Sequence, residues 1–113
     1  MSPFDELTSE KWTLSDLPGN SSWQEKFPDS LPFLEFDDGG RLNGSTGCNN
    51  FHGNFSLTGN GIEIDPGAMT RKMCSGNGEK LFLEALATVE GYVIENNTLI
   101  LKSNSGPVLQ FSR

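Results

Sequence analysis

Residues 44–55 read GSTGCNNFHGNF, and two patterns meet inside this stretch. The first half, Gly47-Cys48-Asn49-Asn50, is rich in residues that tolerate left-handed and bulged backbone, so it predicts a bend. The second half alternates. Phe51, Gly53 and Phe55 fall on one side, with Leu57 continuing the row; His52, Asn54 and Ser56 fall on the other. A period of two with one apolar face predicts a half-buried strand over 51–57. A cysteine therefore sits on a bend that feeds a strand.

The pattern repeats outward. Asp37-Asp38-Gly39-Gly40 supplies the positive φ angles of a tight turn and predicts a hairpin between LPFLEF (31–36) and RLNGST (41–46). Before it, SDLPGNSSWQEKFPDS (15–30) reads as a loop, with Trp23 and Phe27 as candidate anchors, and KWTL (11–14) as a first strand. After it, residues 58–61 turn the chain into a short strand over 62–64, which Asp65-Pro66-Gly67 breaks. AMTRKMC (68–74) is expected to be extended.

One helix is expected, over 79–89 (EKLFLEALATV). Its apolar residues Leu81, Phe82, Ala85, Leu86 and Val89 form one stripe, Asn77 is the expected N-cap and Gly91 the expected stop. Strands over 92–94, 98–101 and 108–111 close the chain. The fold class is α+β, mainly β. It is a curled antiparallel sheet or cracked β-barrel of about eight short strands with one amphipathic helix, and residues 1–113 form a single domain.

Composition limits the function. The chain has 113 residues, a net charge of −7 and a pI near 4.5, with no basic run longer than Arg71-Lys72. Nucleic acid is a poor partner for such a surface, and so is an anionic membrane. No apolar run is long enough to span a bilayer. The opening MSPFDELTSEKW has neither a basic start nor an apolar segment of a signal peptide. The expected location is cytoplasmic for a full-length chain, and periplasmic or envelope-associated if an export signal was trimmed. A monomer is expected.

No catalytic constellation emerges. Cys48, His52 and Cys74 lack the paired C-x-x-C spacing of zinc ligands. Cys48 and His52 on an extended strand would stand roughly 13 Å apart, too far for a nucleophile and its base. Glu35, Asp37 and Asp38 lack the calcium-loop pattern, and a turn accounts for them. Glu79 and Glu84 are expected on a solvated helix face. Ser45, Ser75 and Ser105 lie outside any G-x-S-x-G elbow. Arg71-Lys72 reads as a solvated strand edge. The N-x-S/T sequons at Asn20, Asn43, Asn54 and Asn96 matter only for a chain secreted by a eukaryote. Trp12, Phe33, Phe36, Phe51, Phe55, Leu86 and Phe111 are expected in the core. The expectation is therefore no catalytic residue, no metal ligand and no cofactor.

Taken in order, KWTL, LEFDDGGRLNG, GCNNF, MTRKMC, the helix residues Glu79, Phe82, Leu83, Ala85 and Leu86, and the closing LILK and VLQF resemble the META domain family, which includes HslJ-like heat-inducible lipoproteins. The resemblance covers nearly the whole chain. It implies a cracked barrel carrying a helix, similar to lipid-binding secretion pilotins. It also implies a non-enzymatic, stress-associated binding or structural module (heat shock or envelope stress).

Gly47, Cys48, Asn49, Thr70, Met73 and Cys74 match the family motif, and the resemblance runs their two segments side by side. Cys48 and Cys74 are then either a disulfide or a pair of buried thiols. A bond would close a loop of about 27 residues and stabilise by roughly 3.5 kcal/mol in the chain-entropy account. Two further roles are open: carrier or pilot for a lipid or secretion-system peptide in an apolar groove, or inhibitor of an exported hydrolase through the loop at 15–30. The partner, protein or lipid, is unknown.

Overall fold

Eight antiparallel strands follow one another around a ring in chain order. They are β1 (Trp12–Asp16), β2 (Phe33–Phe36), β3 (Arg41–Ser45), β4 (Asn50–Thr58), β5 (Gly61–Met69), β6 (Gly91–Glu95), β7 (Thr98–Ser103) and β8 (Gly106–Ser112). Helix α1 (Pro3–Thr8) precedes β1, and α2 (Gly78–Ala87) lies between β5 and β6. This is a computed structural model, and the residues it describes are 3–8, 10–59 and 61–113.

The ring closes where β1 pairs with β8, Leu14 opposite Phe111. It is not a regular barrel. β5 and β6 meet at a single register pair, Gly61 with Gly91, and β1 and β2 share only Trp12–Leu34 and Thr13–Phe33. The crack implied by the family resemblance lies at β5–β6, where the chain leaves the sheet to form α2. No helix among the described residues is long and apolar enough to cross a membrane.

Alternation puts the core inside the ring. On β4, Phe51 and Phe55 are buried while His52, Asn54 and Ser56 are exposed, as the period of two requires. Leu99 and Leu101 on β7 and Leu109 and Phe111 on β8 repeat the device, and all four are fully buried. From α2, Phe82 meets Phe111 edge to face with centroids 6.3 Å apart. Removing a buried aromatic side chain of this kind costs about 3–5 kcal/mol. Trp23 and Phe27 are buried too, so the loop at 15–30 is pinned by its own aromatic pair, centroids 6.3 Å apart.

Four expectations need correction. Helix α1 was not anticipated; it buries Leu7 completely and stacks Phe4 on Phe55 at 6.1 Å. Asp65-Pro66-Gly67 does not end a strand. β5 runs through it, with a register shift opposite His52 and Asn54. Asp65 Oδ1 accepts the Gly67 N–H at 2.9 Å, and Gly67 takes φ +66°, so the triplet forms a bulge. Ala68 and Met69 end β5, and residues 70–77 are a loop beyond the strand, ordered by the Asn49 side chain on the bend before β4. Finally, α2 stops at Ala87, where the Thr88 hydroxyl donates to Ala85 O at 2.7 Å; Gly91 opens β6 instead. Asn77 does hold the N-cap position, but its side chain makes no capping bond.

Candidate functional site

The bend at Thr46–Asn49 between β3 and β4 is built by its own side chains. Thr46 N–H donates to Asn49 O at 2.9 Å, and Thr46 Oγ1 accepts Asn49 N–H at 2.9 Å and Cys48 N–H at 3.3 Å. Ser45 Oγ accepts the Gly47 N–H at 3.0 Å. Gly47 sits at φ +90°, and a Cβ there would stand 2.7 Å from Ser30 O. Both the dihedral and the close approach require glycine.

Asn49 then ties a second segment to this bend. Its side chain is 2% exposed and every polar end is used. Oδ1 accepts Lys72 N–H at 2.6 Å and the Thr70 hydroxyl at 2.9 Å. Nδ2 donates to Lys72 O at 3.0 Å and to Glu79 Oε2 at 2.7 Å. A backbone N–H can only donate, so the Lys72 contact fixes which way the amide points. The same Glu79 oxygen accepts the Thr46 hydroxyl at 2.6 Å. One carboxylate on the first turn of α2 thus ties the helix to the bend, and Asn49 ties the bend to the loop at 70–77.

The two cysteines lie on top of this network. Cys48 and Cys74 stand at disulfide distance, with Cα atoms 6.1 Å apart. Both are half-buried, and the space beside them is only about 10 Å³, walled by Phe27, Pro28, Gly47 and Glu79 among others. That is room for about one water and for no organic substrate. The six motif residues Gly47, Cys48, Asn49, Thr70, Met73 and Cys74 therefore converge in the chain, with one exception. Met73 is 97% exposed and its side chain stands away from the corner.

The other candidates do not assemble. His52 is exposed on the outer face of β4, where Nδ1 lies 2.6 Å from Asn43 Oδ1 on the neighbouring strand. Cys48 is paired with Cys74 and the His52 ring with Asn43. Asp37 Oδ1 accepts the N–H groups of Gly39 and Arg41, both at 2.9 Å, which makes it a turn residue. Arg71 and Lys72 extend from an exposed loop. Glu84 is exposed, but Glu79 is not on a solvated face: its partners are Thr46 and Asn49. Nothing in the sequence marks that role, since the contacts span 33 and 30 positions.

Two shallow grooves follow β5. One, of about 250 Å³, lies at the crack and is lined by Thr58, Gly61, Ile62, Glu63, Val89 and Glu90. The other, of about 220 Å³, is lined by Asn54, Phe55, Ser56, Glu63, Ile64 and Asp65.

The fold agrees with the comparisons. The sequence matches the META domain family over residues 5–113, and the chain belongs to that family. The family is not known for an enzymatic activity. Among solved structures, a DUF4847 family protein from Bacteroides vulgatus is similar with a TM-score of 0.71 at 19% identity, covering 94% of this chain and 93% of that one. An NMR structure of a protein from Burkholderia xenovorans has a TM-score of 0.70 at 21% identity, covering 97% and 85%. A further NMR structure has a TM-score of 0.72 at 22% identity, covering 99% and 95%. At these identities the likeness is one of fold. No curated protein matches the sequence.

Proposed function

We propose that this META domain is a non-enzymatic binding or structural module of a stress response, working in a compartment where its disulfide persists. One observation carries the non-enzymatic part. The residues with chemical potential at the cysteine corner, namely Cys48, Cys74, Asn49, Thr70 and Glu79, already bond to one another and hold the loop at 70–77 on the barrel. The stress role is carried over from the resemblance to HslJ-like heat-inducible members of the family. Disulfides endure outside reducing cytosol, which favours the periplasm or envelope. The test is a broad panel of hydrolase and transferase substrates. No turnover is expected; turnover lost on Cys48→Ser or His52→Ala would overturn the reading.

The groove at the β5–β6 crack favours a second reading, a carrier for a lipid tail or extended peptide. Ile62 and Val89 give it an apolar floor. The ring interior holds Trp12, Phe51, Leu101 and Phe111, so such a ligand would lie on the surface. Native mass spectrometry of gently purified protein would show it as a noncovalent adduct. Repeatedly clean spectra count against it. An inhibitor role through the loop at 15–30 has less to present, because Trp23 and Phe27 both point inward.

A further inference from the structure

We propose that the cysteine corner has a second state: when the Cys48–Cys74 bond is reduced, the two thiolates and the Glu79 carboxylate form a three-donor site for a thiophilic divalent cation of the zinc class. One ligand atom from each of Cys48, Cys74 and Glu79 lies within 4.8 Å of the others. Among the described residues, no other group of His, Cys, Asp and Glu side chains comes together in this way. The third donor is invisible to spacing, because Glu79 reaches the corner from a helix.

Four features make this more than proximity. The donor set is two soft sulfurs and one oxygen, which suits zinc or cobalt and disfavours calcium or magnesium. The carboxylate is held in place: Glu79 Oε2 accepts from Thr46 at 2.6 Å and from Asn49 at 2.7 Å, the outer hydrogen bonding that orients a metal ligand. The cysteines remain neighbours without their bond, because Thr46 and Asn49 fix both the bend and the Lys72 backbone independently. Asn49 Nδ2 also lies 3.6 Å from Cys48 Sγ and 3.9 Å from Cys74 Sγ, a polar neighbour for thiolate charge.

The motion needed is small. Zinc–sulfur bonds of about 2.3 Å in a tetrahedron place the two sulfurs about 3.8 Å apart, which side-chain rotation across a 6.1 Å Cα separation can supply. Both cysteines are half-buried, so an ion can enter from solvent, and a water can take the fourth position.

The chemistry balances as follows. A dithiol reductant gives two electrons and two protons to the disulfide and itself becomes a disulfide. Binding of the cation then releases both thiol protons. Disulfide and metal therefore exclude one another, and the corner holds either form.

The test uses the whole chain, reduced and freed of metal under anaerobic conditions, titrated with Co²⁺ and back-titrated with Zn²⁺. A near-ultraviolet thiolate-to-cobalt charge-transfer band saturating at one equivalent and abolished by Zn²⁺ is expected. Oxidised protein and Cys74→Ser should show no such band. Glu79→Gln keeps an oxygen to accept from Thr46 and Asn49 but loses the charge, and should weaken cobalt binding by at least about tenfold. Reduced protein that gives no charge-transfer band, folded or not, overturns the proposal. Equal cobalt affinity in Glu79→Gln overturns it as well, since the site would then lack its third donor.

Discussion

Two segments lie outside the sheet and are nonetheless held to it: helix α1 at the start of the chain and the loop at 70–77. They are held by opposite means. α1 is attached mainly through apolar burial, with Leu7 sealed and Phe4 on Phe55. It also has specific polar ties. Trp12 Nε1 donates to Leu7 O at 3.0 Å, and Arg113 reaches Glu6 O at 3.0 Å and Glu6 Oε2 at 2.7 Å while lying over the Trp12 ring. The loop buries almost nothing apolar, and Met73 points into solvent. It is held by a buried amide with all its bonds made, by a disulfide and, at its first residue, by bonds between Thr70 and the Asn50 backbone. A segment with few hydrophobic residues can still be ordered, provided its polar partners are complete and removed from water.

This contrast can be broken at either end. The largest effect is expected at the disulfide. Replacing Cys48 and Cys74 by serine should lower stability by about 3.5 kcal/mol, because the bond spans 26 positions of chain. Urea unfolding of oxidised wild type against the double variant measures this, and reductant should move the wild type by a similar amount.

Leu7→Ala should follow at about 3 kcal/mol, the usual cost of emptying a sealed leucine site. Unlike the first effect, it should be indifferent to reductant.

Asn49→Ala should cost about 2 kcal/mol, since Lys72 N–H and the Thr70 hydroxyl lose an acceptor that is itself buried. The loop should become a preferred site of proteolytic nicking while the barrel keeps its circular dichroism.

Arg113→Ala is expected to be smallest, about 1 kcal/mol, because the Arg113–Glu6 pair is partly exposed. Its contribution should fade as salt rises, while the corner around Asn49 should not respond to salt. Equal salt sensitivity at both ends would remove the distinction between them.

Much of the ring was legible in the sequence. Asp37-Asp38-Gly39-Gly40 is the turn between β2 and β3 that its residues dictate, and Phe51 and Phe55 face the core as their alternation requires. The resemblance set Cys48 beside Cys74, and the structure brings them together. Other features were hidden for physical reasons. Six residues, PFDELT, are too few for a helical period, and a helix so short draws its stability from packing rather than propensity. Asp65-Pro66-Gly67 carries the residues of a strand end and of a bulge alike. Only the pairing of β4 with β5 decides between them. Glu79 looked like any acidic residue on a first helical turn. Its role depends on where the bend lies in space, and a strictly local pattern holds no record of that.

The central claim is that Asn49 and the disulfide fix a loop that the sheet holds only at Thr70. Native-state hydrogen exchange at the Lys72 amide tests it most directly. That N–H lies in an exposed loop outside every helix and strand, yet donates to buried Asn49 Oδ1 at 2.6 Å. The expected result is strong protection at Lys72 in the oxidised protein, far above that of Arg71 and Met73 beside it, falling sharply in Asn49→Ala. Exchange at Lys72 as fast as at its neighbours would contradict the account.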